Sequence, residues 1–202
     1  MRTAKGAGGG RVDFRQKLFP EGFALTARLR LVPLQAADAF PLICLTNDPL
    51  VAHGYSLLKQ PFTHDDAAKL VALPREGRGC FAALRIQGKC ARDAGGEMIG
   101  CAGVLARDSE GEARDSKEVR DLEIGFWLGA PYHGRHYGAE AAGAMLDLAR
   151  KAFPKARIVA ECPRENTASW HLLGRLGFAP GAGPGLREGA ELLSWRAEAP
   201  VD

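Results

Sequence analysis

The sequence predicts one mixed α/β domain whose sheet ends in a β–α–β crossover. Three observations carry this. Stretches that alternate apolar and polar with period two are interleaved with stretches of period 3.6. The last strands are separated by helices rather than by tight turns, which implies a parallel connection. The chain has 202 residues, enough for one compact core and too few for two ordinary ones. Neither an internal repeat nor a second-domain boundary is visible.

The elements follow in order. Residues 1–20 are Gly-rich and basic and are expected to be a flexible tail, with a single domain over 21–202. In "ALTARLRLVPL", Leu25, Ala27, Leu29 and Leu31 alternate with Thr26, Arg28 and Arg30, which predicts a half-buried strand. "QAADAFPLICLTNDP" reads as a helix ended by Asn47, Asp48 and Pro49. "FTHDDAAKLVALPREG" reads as a second, with Thr63 as N-cap, acidic residues in the first turn and a stop near Pro74. Three strands come next: "GCFAALRI", "GEMIGCAGVLA" and "VRDLEIGFWLG". In the last, Leu122, Ile124, Phe126 and Leu128 face one way, and Glu123, Gly125 and Trp127 the other. Ala142, Met145, Leu146, Ala149 and Phe153 recur at helical spacing. "ARIVAECP" is a short strand and "ENTASWHLLGRLGF" a helix stopped by Gly177. "PGAGPGLREGA" reads as a Gly/Pro loop and "ELLSWRAEA" as a final strand.

Composition narrows the function. A net charge of +3, with no long basic run, favours an anionic ligand but is too small to argue for nucleic acid, and no nucleic-acid partner is expected. The five cysteines, Cys44, Cys80, Cys90, Cys101 and Cys162, are odd in number and irregular in spacing, with no C-x-x-C, which argues against a disulfide framework or a zinc ribbon. The apolar runs are too short for a membrane span, and no secretory h-region opens the chain. A cytoplasmic protein, with no membrane partner and no metal, is expected.

The segment "PYHGRHYGAEAAGAMLDLAR" carries the most specific signal. A glycine-bearing loop runs directly into an amphipathic helix. The first turn of a helix has N–H groups without intrahelical acceptors, and its dipole attracts anions. Arg135 adds positive charge. The arrangement suits a pyrophosphate, whereas a nucleotide P-loop would need G-K-[ST] after the glycines. By itself it is equally a glycine turn capping a helix.

In context, the chain resembles the GNAT superfamily of acetyl-CoA-dependent N-acetyltransferases, and within it the branch of RimJ/RimL-type enzymes that acetylate ribosomal-protein N-termini. "LTARLRLVPLQAADA", "LEIGFWLGAPYHGRHYGAEA" and "NTASWHLLGRLGF", in that order, carry the resemblance over roughly residues 24–180. The family's Q/R-x-x-G-x-G/A cradle falls on His133-Gly134-Arg135-His136-Tyr137-Gly138. His133 stands where the family has Gln or Arg, and His136 where it has a central glycine.

The resemblance implies a mixed, mostly antiparallel twisted sheet flanked by helices, with direct acetyl transfer to a primary amine. It implies that backbone groups of Phe126, Trp127 and Leu128 pair with the pantetheine arm. The pyrophosphate would lie against His133, Gly134, Arg135, His136, Tyr137, Gly138 and Ala139, with Asn166 on the cofactor side. Glu123 is the candidate general base, directly or through water, and otherwise a polar residue on a sheet face. The tyrosine that many relatives use as acid falls here on Leu173. Ser169 is then the candidate proton donor to the leaving thiolate, and otherwise an ordinary first-turn residue. Cys162 sits near the proposed thioester but lacks a Cys–His pattern. The acceptor is a protein N-terminus or a small-molecule amine, and the protein a monomer or homodimer. A GNAT-fold acyl-CoA binding or sensing protein without turnover is the alternative.

Overall fold

A computed structural model describes residues 11–52, 60–88, 96–107 and 119–196. The expected connections around Cys90 and over 108–118, and the first ten residues of the expected tail, lie outside them. The described strands are β1 (Ala24–Leu25), β2 (Leu29–Pro33), β3 (Gly79–Ile86), β4 (Met98–Arg107), β5 (Asp121–Leu128), β6 (Arg157–Pro163), β7 (Phe178–Pro184) and β8 (Ala190–Trp195). They form one sheet in the order β1-β2-β3-β4-β5-β6-β8-β7. Every neighbouring pair is antiparallel except β5 and β6, which run parallel. The described helices are α1 (Phe14–Leu18), α2 (Ala39–Thr46), α3 (Pro49–Ala52), α4 (His64–Glu76), α5 (Tyr137–Ala152) and α6 (Thr167–Arg175).

The pleat sorts the core into two layers. On β3, Cys80, Ala82 and Leu84 join Leu122, Ile124 and the α5 residues Met145 and Ala149. Phe81 and Ala83 point the other way, to Leu42 of α2, Ala67 of α4 and Trp127. Successive side chains of a strand lie on opposite faces. Because helices cover both faces of β3, its sequence is apolar throughout rather than alternating.

Four sequence expectations are corrected. Residues 14–19 belong to the core: Phe14, Leu18 and Phe19 are buried, and the Phe14 ring lies 4.9 Å from that of Phe153. Asp13 caps α1 by accepting from the Gln16 N–H at 2.9 Å. A five-residue helix has no independent stability, so its signal is only two apolar residues in a polar run. The single strand expected over 24–34 is two. The hydroxyl of Thr26 accepts from the Leu29 N–H at 2.8 Å, and this local side-chain bond turns the backbone between β1 and β2. Leu29 and Leu31 are buried as the alternation required, while Leu25 is exposed.

Pro74 lies inside α4, which continues to Glu76 and stops at Gly77 with φ of 69°. A proline this near the C-terminus disturbs little helix beyond it, and the left-handed glycine sets the end. Finally, the first five residues of the expected Gly/Pro loop, 180–184, belong to the edge strand β7. Its pairing with β8 shifts register between Pro180 and Pro184, and an edge strand tolerates proline where a central one does not.

Candidate active site

The chemistry is positioned by the separation of β5 from β6. They pair only as Asp121 with Arg157, Leu122 with Ile158 and Glu123 with Val159. Beyond Glu123, β5 stays with β4 as far as Leu128 opposite Gly100. From Val159 onward β6 stays with β8. The carboxyl ends of a parallel pair therefore diverge into a wedge, the position where open α/β sheets take ligands. Both strands lead at that end into helices, α5 and α6.

The loop into α5 is built from Gly129, a 3₁₀ turn over Ala130–Tyr132, and residues 133–136. Gly134 has φ of 71° and His136 φ of 64°. Among the described residues, His136 alone is a non-glycine with positive φ. It occupies the position of the expected central glycine and adopts the backbone glycine would supply, at a cost on the order of 1 kcal/mol. Its side chain does not cap α5, and the first-turn N–H groups of Tyr137, Gly138 and Ala139 have no acceptor within the helix. Arg135 is exposed beside them. These groups fit a pyrophosphate.

Neighbouring side chains of the loop and of β5 meet partners within the protein. The His133 ring turns back and donates to the Leu128 carbonyl at 2.9 Å, bracing the loop on β5. Trp127 donates its indole N–H to the Thr46 hydroxyl at 3.2 Å, so its side chain serves the α2 contact. Phe126 packs on the first core layer. Any cofactor role of Phe126, Trp127 and Leu128 rests on their backbone. At Gly138 an added Cβ would lie 3.3 Å from Leu172 Cδ1 and 3.7 Å from Leu128 Cδ1. That glycine thus lets α5 approach α6 and β5. Asn166 and Ser169 are brought together as a cap: Asn166 Oδ1 accepts from the Ser169 N–H at 3.1 Å. Both stand at the open end of the wedge.

Glu123 stands at the closed end and is buried. Val159 opposite it and Pro163 at the open end are four residues apart, roughly 13 Å of strand. Sequence alternation set Glu123 on the face opposite Leu122 and Ile124 but did not reveal its partners. Its Oε1 accepts from Arg187 Nη2 at 2.6 Å and its Oε2 from Arg107 Nη1 at 3.3 Å. Glu161, whose side chain is fully buried, accepts from the same guanidiniums at 2.5 and 2.9 Å. It also accepts from the N–H groups of Leu186 and Arg187, at 2.9 and 3.3 Å. Two carboxylates and two guanidiniums form a network that ties the β7–β8 loop to the sheet. Gly185 permits this, since a Cβ there would lie 2.9 Å from Glu161 Oε2.

Burial pushes the Glu123 carboxyl up from its ordinary value, and Arg187 and then Arg107 oppose that rise only in part. Burial would raise Glu161 too, but the Leu186 N–H and the two guanidiniums outweigh it and hold its carboxyl low. The network thus favours the ionised form of Glu161 and the neutral form of Glu123 relative to their ordinary values. Cys162 offers no nucleophile: burial pushes its thiol up to about 11, and its sulfur faces the carbonyls of Pro163 and Asn166.

Among the described residues, no group of three or more His, Cys, Asp or Glu side chains is placed to hold a metal ion. No described helix is long and apolar enough to cross a membrane.

The sequence profile of the Acetyltransferase (GNAT) domain matches residues 28–179. The chain therefore belongs to the GNAT acetyltransferase family. No curated protein matches it. Among solved structures it is similar to an acetyltransferase from Agrobacterium tumefaciens str. C58, at 21% identity and a TM-score of 0.66, over 86% of this chain and 94% of that one. It is similar to the microcin C7 self-immunity acetyltransferase MccE, in complex with acetyl-CoA and AMP, at 14% identity and a TM-score of 0.65, over 88% and 97%. It is similar also to RimL, a ribosomal L7/L12 alpha-N-protein acetyltransferase, at 16% identity and a TM-score of 0.65, over 85% and 91%. These likenesses establish the fold, a mixed and mostly antiparallel sheet flanked by helices.

Proposed function

We propose that this protein is an N-acetyltransferase that moves acetyl from acetyl-CoA directly to a primary amine. One observation carries the reading: the wedge between β5 and β6 opens at the same end as the α5 first turn. An elongated thioester with an anionic tail needs both. Acetyl-CoA supplies the acetyl group already activated as a thioester. The chain's part is to bind, orient and move protons.

In this reading the N–H groups of Tyr137, Gly138 and Ala139, with Arg135, hold the pyrophosphate. The backbone of Phe126, Trp127 and Leu128 lines the wedge for the pantetheine arm. Glu123 accepts the proton that the amine releases, through water because its oxygens already face Arg187 and Arg107. The Ser169 hydroxyl gives a proton to the departing sulfur. The acceptor class is a protein N-terminal amine, after the RimL likeness, or a small-molecule amine.

A binding or sensing role without turnover is the second reading. It is favoured by that double engagement of Glu123 and by Leu173 in place of an acid tyrosine. Thiol release from acetyl-CoA, measured across N-terminal peptides and small amines, separates the two. Amine-dependent release establishes the transferase, and saturable binding without release establishes the sensor.

A further inference from the structure

We infer that Arg28 is the positioning residue of the α5 cradle, neutralising Glu140 and bracing the loop so that it accepts an anionic cofactor tail. This rests on the acetyl-CoA reading above. Glu140 lies in the first turn of α5, directly after Ala139. A carboxylate there suits the helix dipole but repels any anion held by the same N–H groups. Both of its oxygens are occupied. Oε1 accepts from the Thr26 hydroxyl and from the Arg28 N–H at 2.7 Å. Oε2 takes the guanidinium fork, Nε and Nη2 each at 2.7 Å. Burial would raise this carboxyl, but the Thr26 and Arg28 donors outweigh it and hold it low.

The same guanidinium reaches the rest of the loop. Its Nη1 donates to the Arg135 carbonyl at 3.0 Å, and its plane lies over the Tyr137 ring at 4.5 Å. One side chain therefore grips both neighbours of His136, the residue held in the left-handed conformation, and cancels the charge that follows. Its base is rigid, since the Thr26–Leu29 turn is fastened to the residue after β3. Gln87 donates to the Thr26 and Leu29 carbonyls at 2.7 and 3.0 Å. Lysine would supply the charge but neither the fork nor the stacking.

The test is calorimetric titration of acetyl-CoA into the wild type, Arg28→Met, Arg28→Lys, Glu140→Gln and the double variant Arg28→Met/Glu140→Gln, each checked for folding by thermal melting. Arg28→Met is expected to weaken binding about tenfold or more, and Arg28→Lys by less, because charge survives without the fork. The double variant is expected to regain part of the loss, because no lone carboxylate then faces the phosphates. A purely structural role of Arg28 would not give that charge-specific recovery. Binding by Arg28→Met within about twofold of wild type, or a loss that Glu140→Gln leaves untouched, overturns the inference. If Arg28→Met does not fold, wild-type affinity in both Arg28→Lys and the double variant overturns it. Absence of binding by the wild-type chain brings down the cofactor reading and this inference together.

Discussion

Glu123 concentrates the chemical question in one side chain. Its carboxyl is raised above the ordinary 4.5 by burial, with Arg187 and Arg107 opposing. A raised value means that the neutral form is favoured on folding. The stability this gives is full below the ordinary value and is lost as pH rises through the elevated one. Activity moves oppositely, since only the ionised form accepts a proton. Glu123→Gln is expected to lower kcat by about 10²-fold and to remove the acid limb of the pH–rate profile, with acetyl-CoA affinity unchanged. An unaltered limb removes Glu123 as the base. His136 offers a second test. Its φ of 64° makes His136→Gly an expected gain of roughly 0.5 kcal/mol by chemical denaturation, after the added chain entropy is subtracted. A loss would show that the imidazole contributes more than the strain. The face of Glu123 could be read from its alternation with Leu122 and Ile124. Its arginines could not, because they lie 16 and 64 residues away in sequence and meet only through sheet order.

At the level of elements, the long periodic segments were legible and the short ones were not. β3, β4, β5, α5 and α6 carry enough residues for period and caps to speak, and Thr63 and Gly177 mark the ends they were expected to mark. α1 is too brief for a period. β7 is obscured by its prolines, and the β1–β2 turn depends on one threonine hydroxyl. These missed elements have consequences. Phe14→Ala in α1 is expected to cost about 3–5 kcal/mol, measured by denaturant unfolding, because Phe14 is fully buried against Phe153. A cost below about 1 kcal/mol would make α1 an ornament on the core. The β7–β8 loop matters through Arg187. Removing the guanidinium that opposes the burial of Glu123 should raise that carboxyl further. Arg187→Met is therefore expected to move the acid limb of kcat to higher pH. A shift to lower pH, or none, would dissociate the loop from proton transfer.

Across the described residues, two apolar layers hold a sheet whose parallel pair, β5 and β6, separates along its carboxyl half. Antiparallel neighbours stay zipped by their hairpin or long-strand pairing. β5 and β6 have only three residue pairs in register, and each keeps a stronger partner on its other side. The wedge is thus a property of topology, and no local window of sequence contains it. The glycine-bearing turn into α5 was legible because it lies in one stretch, from His133 to Ala139, whereas the contacts of Arg28 and the network at Glu161 were not. The measurement that most directly tests the central claim is calorimetric titration of the folded chain with acetyl-CoA, with ATP as control. Saturable binding of acetyl-CoA, with ATP much weaker, is the expected result and makes the wedge and the α5 first turn one cofactor site. No binding at millimolar acetyl-CoA would contradict the account and leave residues 133–140 as a turn that starts a helix.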